Sequence, residues 1–412
     1  MEVNTLFFYI LISLPLFPAF PSSAAVVKSG YWFSGGDFPV ADIDSALFTH
    51  LFCASADLDP QTSRVSIPTS NAQAFSTFST VVRRRNPAVK TILSIASESN
   101  DFTAMAARPS SRKKFVDSSI RLATSLGFDG LDLSWIHPSS PSQMADFAQL
   151  VTEWRRAITS SENGKPLILT ARVFRSPEHD SGRYPVRDMA ETLDWINVIA
   201  YDFYSPVSSS QITGPPAALY NPGNEISADS GISSWIEFGF PAGKIVMGIP
   251  LYGYAWKLSD PKRRDGFFSP AAGTIPEISD SSDGSIAFRE IRKFIVRNRA
   301  ASSFNSTIGA DCSFSDDGIW IGYDNYLTIV KKVVYGQEKG LLGYSLWHLG
   351  MDENWGLSRT AMEAWGGDWE DDDMKSMKAS VKFALSVSWR AGSLIFPENH
   401  MNSDGQENGK EL

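Results

Sequence analysis

The residues most able to do chemistry lie in one short run, Asp129-Gly130-Leu131-Asp132-Leu133-Ser134-Trp135-Ile136-His137-Pro138. Its Gly and apolar residues suit a strand, and strand side chains alternate between faces, so Asp132, Ser134 and Ile136 share one side. Acidic side chains spaced along one such face could relay a proton. Here only Asp132 can ionise; Ser134 offers a hydroxyl and Ile136 nothing. At about 3.3 Å per residue, Asp132 sits roughly 13 Å below position 136 and cannot act there. His137 faces the other way or opens a loop, and Glu98 follows another strand-like run. Either would have to come within hydrogen-bond reach of the reacting group to serve as an acid.

The elements that must position this run recur along the chain. Eight apolar stretches of strand length occur: Val26 to Trp32, Ala46 to Cys53, Val89 to Ala96, Gly127 to Trp135, Leu167 to Val173, Leu193 to Tyr201, Lys244 to Leu251 and Leu341 to Trp347. Helical patterns lie between them, as at Ser111 to Ser125 and at Gln143 to Ile158, where Met144, Phe147, Leu150, Val151 and Trp154 recur at spacings of three and four. Gly127 should stop the first of these helices. Strands alternating with helices run parallel, and eight such units predict a (β/α)₈ TIM barrel. No strand ends in the glycine-rich phosphate turn of a doubly wound sheet. The spacing breaks after the seventh strand, where about residues 256–320 predict an inserted subdomain rich in turn residues, among them Asp260, Arg263, Arg264, Asp265, Pro276 and Gly284.

Composition narrows the function classes. The chain has 412 residues, 43% hydrophobic and 20% charged, with a net charge of -9 and a pI near 5.2. That acidity speaks against a nucleic-acid partner. Residues 1–25, with an apolar run from Leu6 to Leu16 before Ser22-Ser23-Ala24-Ala25, read as a signal peptide, which predicts a secreted, extracellular protein, although no Lys or Arg precedes the run. No segment has the length and apolarity of a transmembrane helix, since Ala379 to Phe396 carries Lys382 and Arg390. Asn305-Ser306-Thr307 fits the glycosylation sequon. Two cysteines, Cys53 and Cys312, give no disulfide framework and leave their pairing open. Barrel composition spans 26–366, and from 367 to 412 an acidic linker, Gly366-Gly367-Asp368-Trp369-Glu370-Asp371-Asp372-Asp373 at its head, leads into a polar tail.

The run from Asp129 to Pro138 resembles DGxDxDWExP, the signature of glycoside hydrolase family 18, in its plant class V chitinase branch. Gly30-Tyr31-Trp32, Leu51-Phe52-Cys53, Ser94-Ile95, Tyr201-Asp202, Pro250 to Trp256 and Gly343 to Trp347 resemble further family blocks, in family order. The resemblance implies a TIM barrel whose insertion is a small α+β subdomain. It also implies a chitinase ancestry in which the substrate's own N-acetyl group attacks while a Glu protonates the leaving oxygen. At the Glu position stands Ile136, and at the third Asp position Ser134. The catalytic motif is therefore a remnant, Asp129, Asp132, Ser134 and Ile136.

By the same resemblance a sugar site persists, with Trp347 as its aromatic floor, Tyr201 and Asp202 for the N-acetyl group, and Tyr31, Ser94 and Asp132 lining the pocket. Ile199 replaces the usual Met, and Ala96-Ser97 replaces a Gly pair, narrowing the cleft. The expected function is non-hydrolytic binding of chitin or N-acetylglucosamine oligosaccharides, with no cofactor or metal implied. The alternatives are a weakly active chitinase and an inactive barrel that binds a protein partner. If the relay is the only lesion, Ser134→Asp with Ile136→Glu should restore hydrolysis.

Overall fold

The computed structural model describes residues 26–366, apart from 35, 37, 162–165, 224–225, 263–265 and 280. The leader expected at 1–25, the linker and tail from 367 onward, and Arg263, Arg264 and Asp265 lie outside the described residues. Eight parallel strands close a barrel: Val27–Phe33, His50–Asp59, Lys90–Ala96, Gly130–Ser134, Ile168–Val173, Trp195–Val198, Ile245–Pro250 and Gly343–Trp347. Closure is explicit, because the first strand pairs in parallel with both the second and the eighth. Among the described residues no helix is long and apolar enough to cross a membrane.

The chain's own punctuation sets the helices. Pro109–Ser125 opens on a proline, whose missing N–H costs nothing in a first turn. It ends in a Schellman arrangement, with Phe128 N–H donating to Ala123 O and Gly127 N–H to Thr124 O. Gly127 takes φ +72° there, which a side chain would resist. Pro141–Thr159 starts in a capping box between Ser140 and Gln143 and buries Met144, Phe147, Leu150, Val151, Trp154 and Ile158. That buried set follows the apolar spacing of the sequence, so one helix face covers the barrel.

Several strand bounds differ from the sequence pattern. Ser45–Leu47 forms a 3-10 turn rather than opening the second strand, fixed by Ser45 Oγ donating to Val82 O at 2.7 Å and Asn86 Nδ2 donating to Ser45 O at 3.0 Å. That strand then runs on to Asp59 and pairs antiparallel with Arg64–Ser66. The fourth strand begins only at Gly130, because Gly127 and Phe128 close the helix. The sixth ends at Val198, which leaves Tyr201 and Asp202 on the loop above it.

After the seventh strand the chain builds a five-stranded antiparallel sheet from Tyr252–Lys257, Ser285–Ala287, Ala301–Asn305, Ala310–Phe314 and Ile319–Tyr323. Helix Phe288–Asn298 packs within this insertion, burying Phe288, Ile291, Phe294 and Ile295. Turn composition alone concealed that helix.

Candidate functional site

Register places three polar residues in one layer of the barrel. Ser94 on the third strand pairs with Asp132 on the fourth, which pairs with Thr170 on the fifth. Asp132 is wholly buried. Its carboxylate accepts from Thr170 Oγ1 at 2.7 Å, Ser94 Oγ at 2.8 Å and Tyr31 Oη at 3.1 Å. Asn197 Nδ2 lies 3.5 Å from the same carboxylate and donates to Tyr31 Oη at 3.1 Å. Burial pushes the Asp132 carboxyl above its ordinary range, opposed by those hydroxyls and by the positive charge of Arg172. Tyr31, Ser94 and Asp132, all expected to line the pocket, thus bind one another and are buried.

Two residues toward the strand ends, the next layer contains Ala96, Ser134 and Arg172. Arg172 is 7% exposed, a cation in the barrel interior. Nη1 donates to Ser134 Oγ at 3.2 Å, and Nη2 donates to Tyr201 Oη at 3.2 Å. Its guanidinium carbon lies 3.5 Å from the centroid of a Trp347 ring and 5.4 Å from that of Tyr31. Cation–π attraction of this kind strengthens where water is excluded. Trp347 itself is part-exposed at the end of the eighth strand, met edge-on by Phe33 at 5.0 Å and at a tilt by Tyr31 at 5.0 Å.

Arg172 escaped the sequence reading, although a signal for it exists. It is the one charged residue in the apolar run Leu167 to Val173 and stands two positions after Thr170, hence on the same inward face.

Tyr201 and Asp202 come together above the sixth strand as expected. Gly248 on the seventh strand makes room for the Tyr201 ring: a Cβ there would sit 2.8 Å from Tyr201 Cε1 and 2.7 Å from Val198 O. Burial raises the Tyr201 phenol to about 12, against the pull of Arg172, so it stays protonated near neutral pH. Asp202 takes φ +61°, a left-handed conformation that Asp tolerates better than most residues. Its Oδ1 accepts from Tyr252 Oη at 2.5 Å and Tyr254 Oη at 3.0 Å. Those two phenols belong to the first strand of the insertion, so the subdomain helps fix the loop. Their block, Pro250 to Trp256, was visible in the sequence; their bonds to Asp202 were not.

Other candidates lie apart. Asp129 precedes the fourth strand at the opposite end of the barrel from Trp347, paired with Arg83 at 2.5 Å and 3.6 Å from Lys90. A cavity of about 350 Å³ opens beside that ion cluster. Ile136 follows the strand, its carbonyl accepting from Tyr184 Oη at 2.9 Å. His137 is exposed, with its ring 5.3 Å from that of His179. Glu98 is exposed at the N-cap of Ser99–Ala106. Asn305 is exposed at the end of the strand Ala301–Asn305, where its Oδ1 accepts from the Thr307 and Ile308 N–H groups of the turn that follows. Cys53 and Cys312 are both free and buried.

Residues 25–352 match the family model for glycosyl hydrolases family 18. A class V chitinase of Arabidopsis thaliana is 50% identical over 365 residues, covering 86% of this chain and 94% of its own. The crystal structure of a class V chitinase mutant from Nicotiana tobaccum in complex with NAG4 matches with TM-score 0.81 and 46% identity, over 84% of this chain and all of that one. A human pseudo-chitinase with retained chitooligosaccharide-binding properties matches with TM-score 0.75 and 26% identity, over 83% of this chain and all of that one. With its closed barrel, its insertion after the seventh strand and these matches, the chain belongs to glycosyl hydrolases family 18.

Proposed function

We propose that this protein binds N-acetylglucosamine oligosaccharides at the mouth of its barrel without hydrolysing them, and that it does so outside the cell. The observation that carries the reading is the chemistry above Asp132. The next position on its face holds Ser134, the strand ends there, and position 136 just beyond it holds Ile136, while Asp132 itself is sealed beneath three hydroxyl donors. Among the described residues, the fourth strand therefore offers no acid above Asp132 to protonate a glycosidic oxygen, and the Asp202 carboxylate at the mouth is engaged by the Tyr252 and Tyr254 phenols; general acid catalysis contributes about 10² to 10⁴ in rate. Binding groups remain: Trp347, Tyr201 and Asp202 stand together, backed by Tyr252 and Tyr254. That a relative binds NAG4, and another is a pseudo-chitinase that retains oligosaccharide binding, supports the same division between holding and cutting.

Calorimetric titration of the purified protein with chitotetraose, beside an assay with a fluorogenic chitotrioside, tests both halves. Saturable heat without fluorophore release is expected. No heat at millimolar sugar would sink the binding reading, and release that survives rigorous purification would restore the enzyme. Mature protein recovered from extracellular fluid, lacking residues 1–25, would support the location; retention inside the cell would oppose it.

A further inference from the structure

We propose that Arg172 is a built-in occupant of the Trp347 platform: its guanidinium covers the indole face on which a pyranose would stack, so bound oligosaccharide sits beside that ring rather than on it. This rests on the reading of the barrel mouth as an oligosaccharide site. Sugar rings stack on indoles through their C–H faces at van der Waals separation, about 3.5–4.0 Å between carbons. The guanidinium already lies 3.5 Å from the Trp347 ring centroid. The two cannot share one face.

The side chain is held there from several directions. Ser134 and Tyr201 each take one guanidinium hydrogen bond. Tyr31 and Trp347 supply ring faces. Asp132, one layer beneath, adds electrostatic attraction. Swinging the guanidinium away would break both hydrogen bonds and the ring contact together, so a sugar must do more than find an open cleft. Arg172 thereby sets specificity: it removes the covered Trp347 face from use and leaves ligand to the side of the mouth where Asp202 stands, backed by buried Tyr201, Tyr252 and Tyr254.

The test is calorimetric titration with chitotriose and chitotetraose of the unaltered chain, Arg172→Ala, and Arg172→Ala with Trp347→Ala. Arg172→Ala should tighten binding at least tenfold, and the added Trp347→Ala should abolish that gain. Arg172→Ser, a second small replacement, should reproduce the gain should the alanine variant fold poorly by circular dichroism. Crystals of the unaltered chain soaked in chitotetraose should show sugar beside Trp347 with Arg172 in place, and crystals of the Arg172 variant should show sugar on the ring.

Folded Arg172 variants that bind no tighter than the parent would overturn the proposal while leaving the binding reading intact. So would sugar stacked on Trp347 in the unaltered chain. If the parent gives no heat and the variants bind through Trp347, Arg172 is confirmed as the occupant and native oligosaccharide binding fails. If neither the parent nor any folded variant binds, both fall.

Discussion

Thr170 Oγ1 donates to Asp132 at 2.7 Å from the neighbouring strand, and with Ser94 and Tyr31 it closes a hydrogen-bonded plug across the barrel interior. Asp132 therefore works first as a structural acceptor. Asp132→Ala strands three buried hydroxyls and removes a carboxyl that attracts Arg172, so it should destabilise the protein by about 2–4 kcal/mol. Asp132→Asn retains an acceptor and should cost less. Urea unfolding of both variants checks the order, and equal small losses would show that the plug carries little of the barrel's stability.

Gly248 links packing to the site. A methyl group there meets Val198 O at 2.7 Å and the Tyr201 ring at 2.8 Å. Gly248→Ala should shift the phenol, weaken its bond to Arg172 and destabilise the fold by about 1–3 kcal/mol, the usual penalty of overpacking. Thermal unfolding reads the destabilisation, and oligosaccharide titration reads the displaced phenol. A variant with unchanged melting and unchanged affinity would mean the backbone yields without moving Tyr201.

The barrel was legible because its strands are buried on both faces and therefore read as continuous apolar runs, separated by helices with clear start and stop signals. Exact ends were not legible. Gly127 and Phe128 looked like strand yet close a helix, and Ala46 and Leu47 look apolar yet form a turn fixed by Ser45 and Asn86. The site divides in the same way. Ser134, Ile136, Tyr201, Asp202 and Trp347 stood out through a family pattern, and the structure brings Tyr201, Asp202 and Trp347 into one mouth. Arg172 and the Tyr252 and Tyr254 phenols escaped, because their roles depend on which strand or subdomain faces them. That relationship lies in tertiary register, not in local spacing.

In the insertion, Asp311 is buried and accepts from Thr328 Oγ1 at 2.5 Å. Burial pushes its carboxyl up to about 7, opposed by that hydroxyl and reinforced by neighbouring Asp324. The folded state thus binds this proton more tightly than the unfolded chain, whose Asp titrates near 3.9. Stability from this group is fully present below pH ~4 and is lost as pH rises toward ~7, a change on the order of 2–4 kcal/mol. Asp311→Asn should flatten that window, measured by urea unfolding at pH 4.5 and 7.5. An identical pH profile in the variant would show that Asp311 is already ionised in the fold.

Restoring hydrolysis needs a third change that the sequence pattern omits. Ser134→Asp with Ile136→Glu rebuilds the carboxylate series on the face of Asp132. In this structure, however, position 134 is the hydrogen-bond partner of Arg172 at 3.2 Å. An Asp there would pair with the guanidinium and fix it more firmly over Trp347. The same positive charge, close to a Glu at 136, would lower that residue's pKa and leave it ionised near neutral pH, with no proton for the leaving oxygen. The double variant should therefore show little activity. Adding Arg172→Ala removes both obstacles, opening the ring to sugar and letting the new Asp share a proton with the new Glu. Hydrolysis of a fluorogenic chitotrioside should rise at least about 10²-fold from the double to the triple variant, the lower end of what a positioned general acid contributes. If the double variant alone hydrolyses as fast as the triple, Arg172 moves aside freely and the relay was the only lesion. If the folded triple variant binds chitotetraose yet does not cut it, the positions of Ile136 and the surrounding loop have departed from a productive geometry, and the loss of function extends beyond these three side chains.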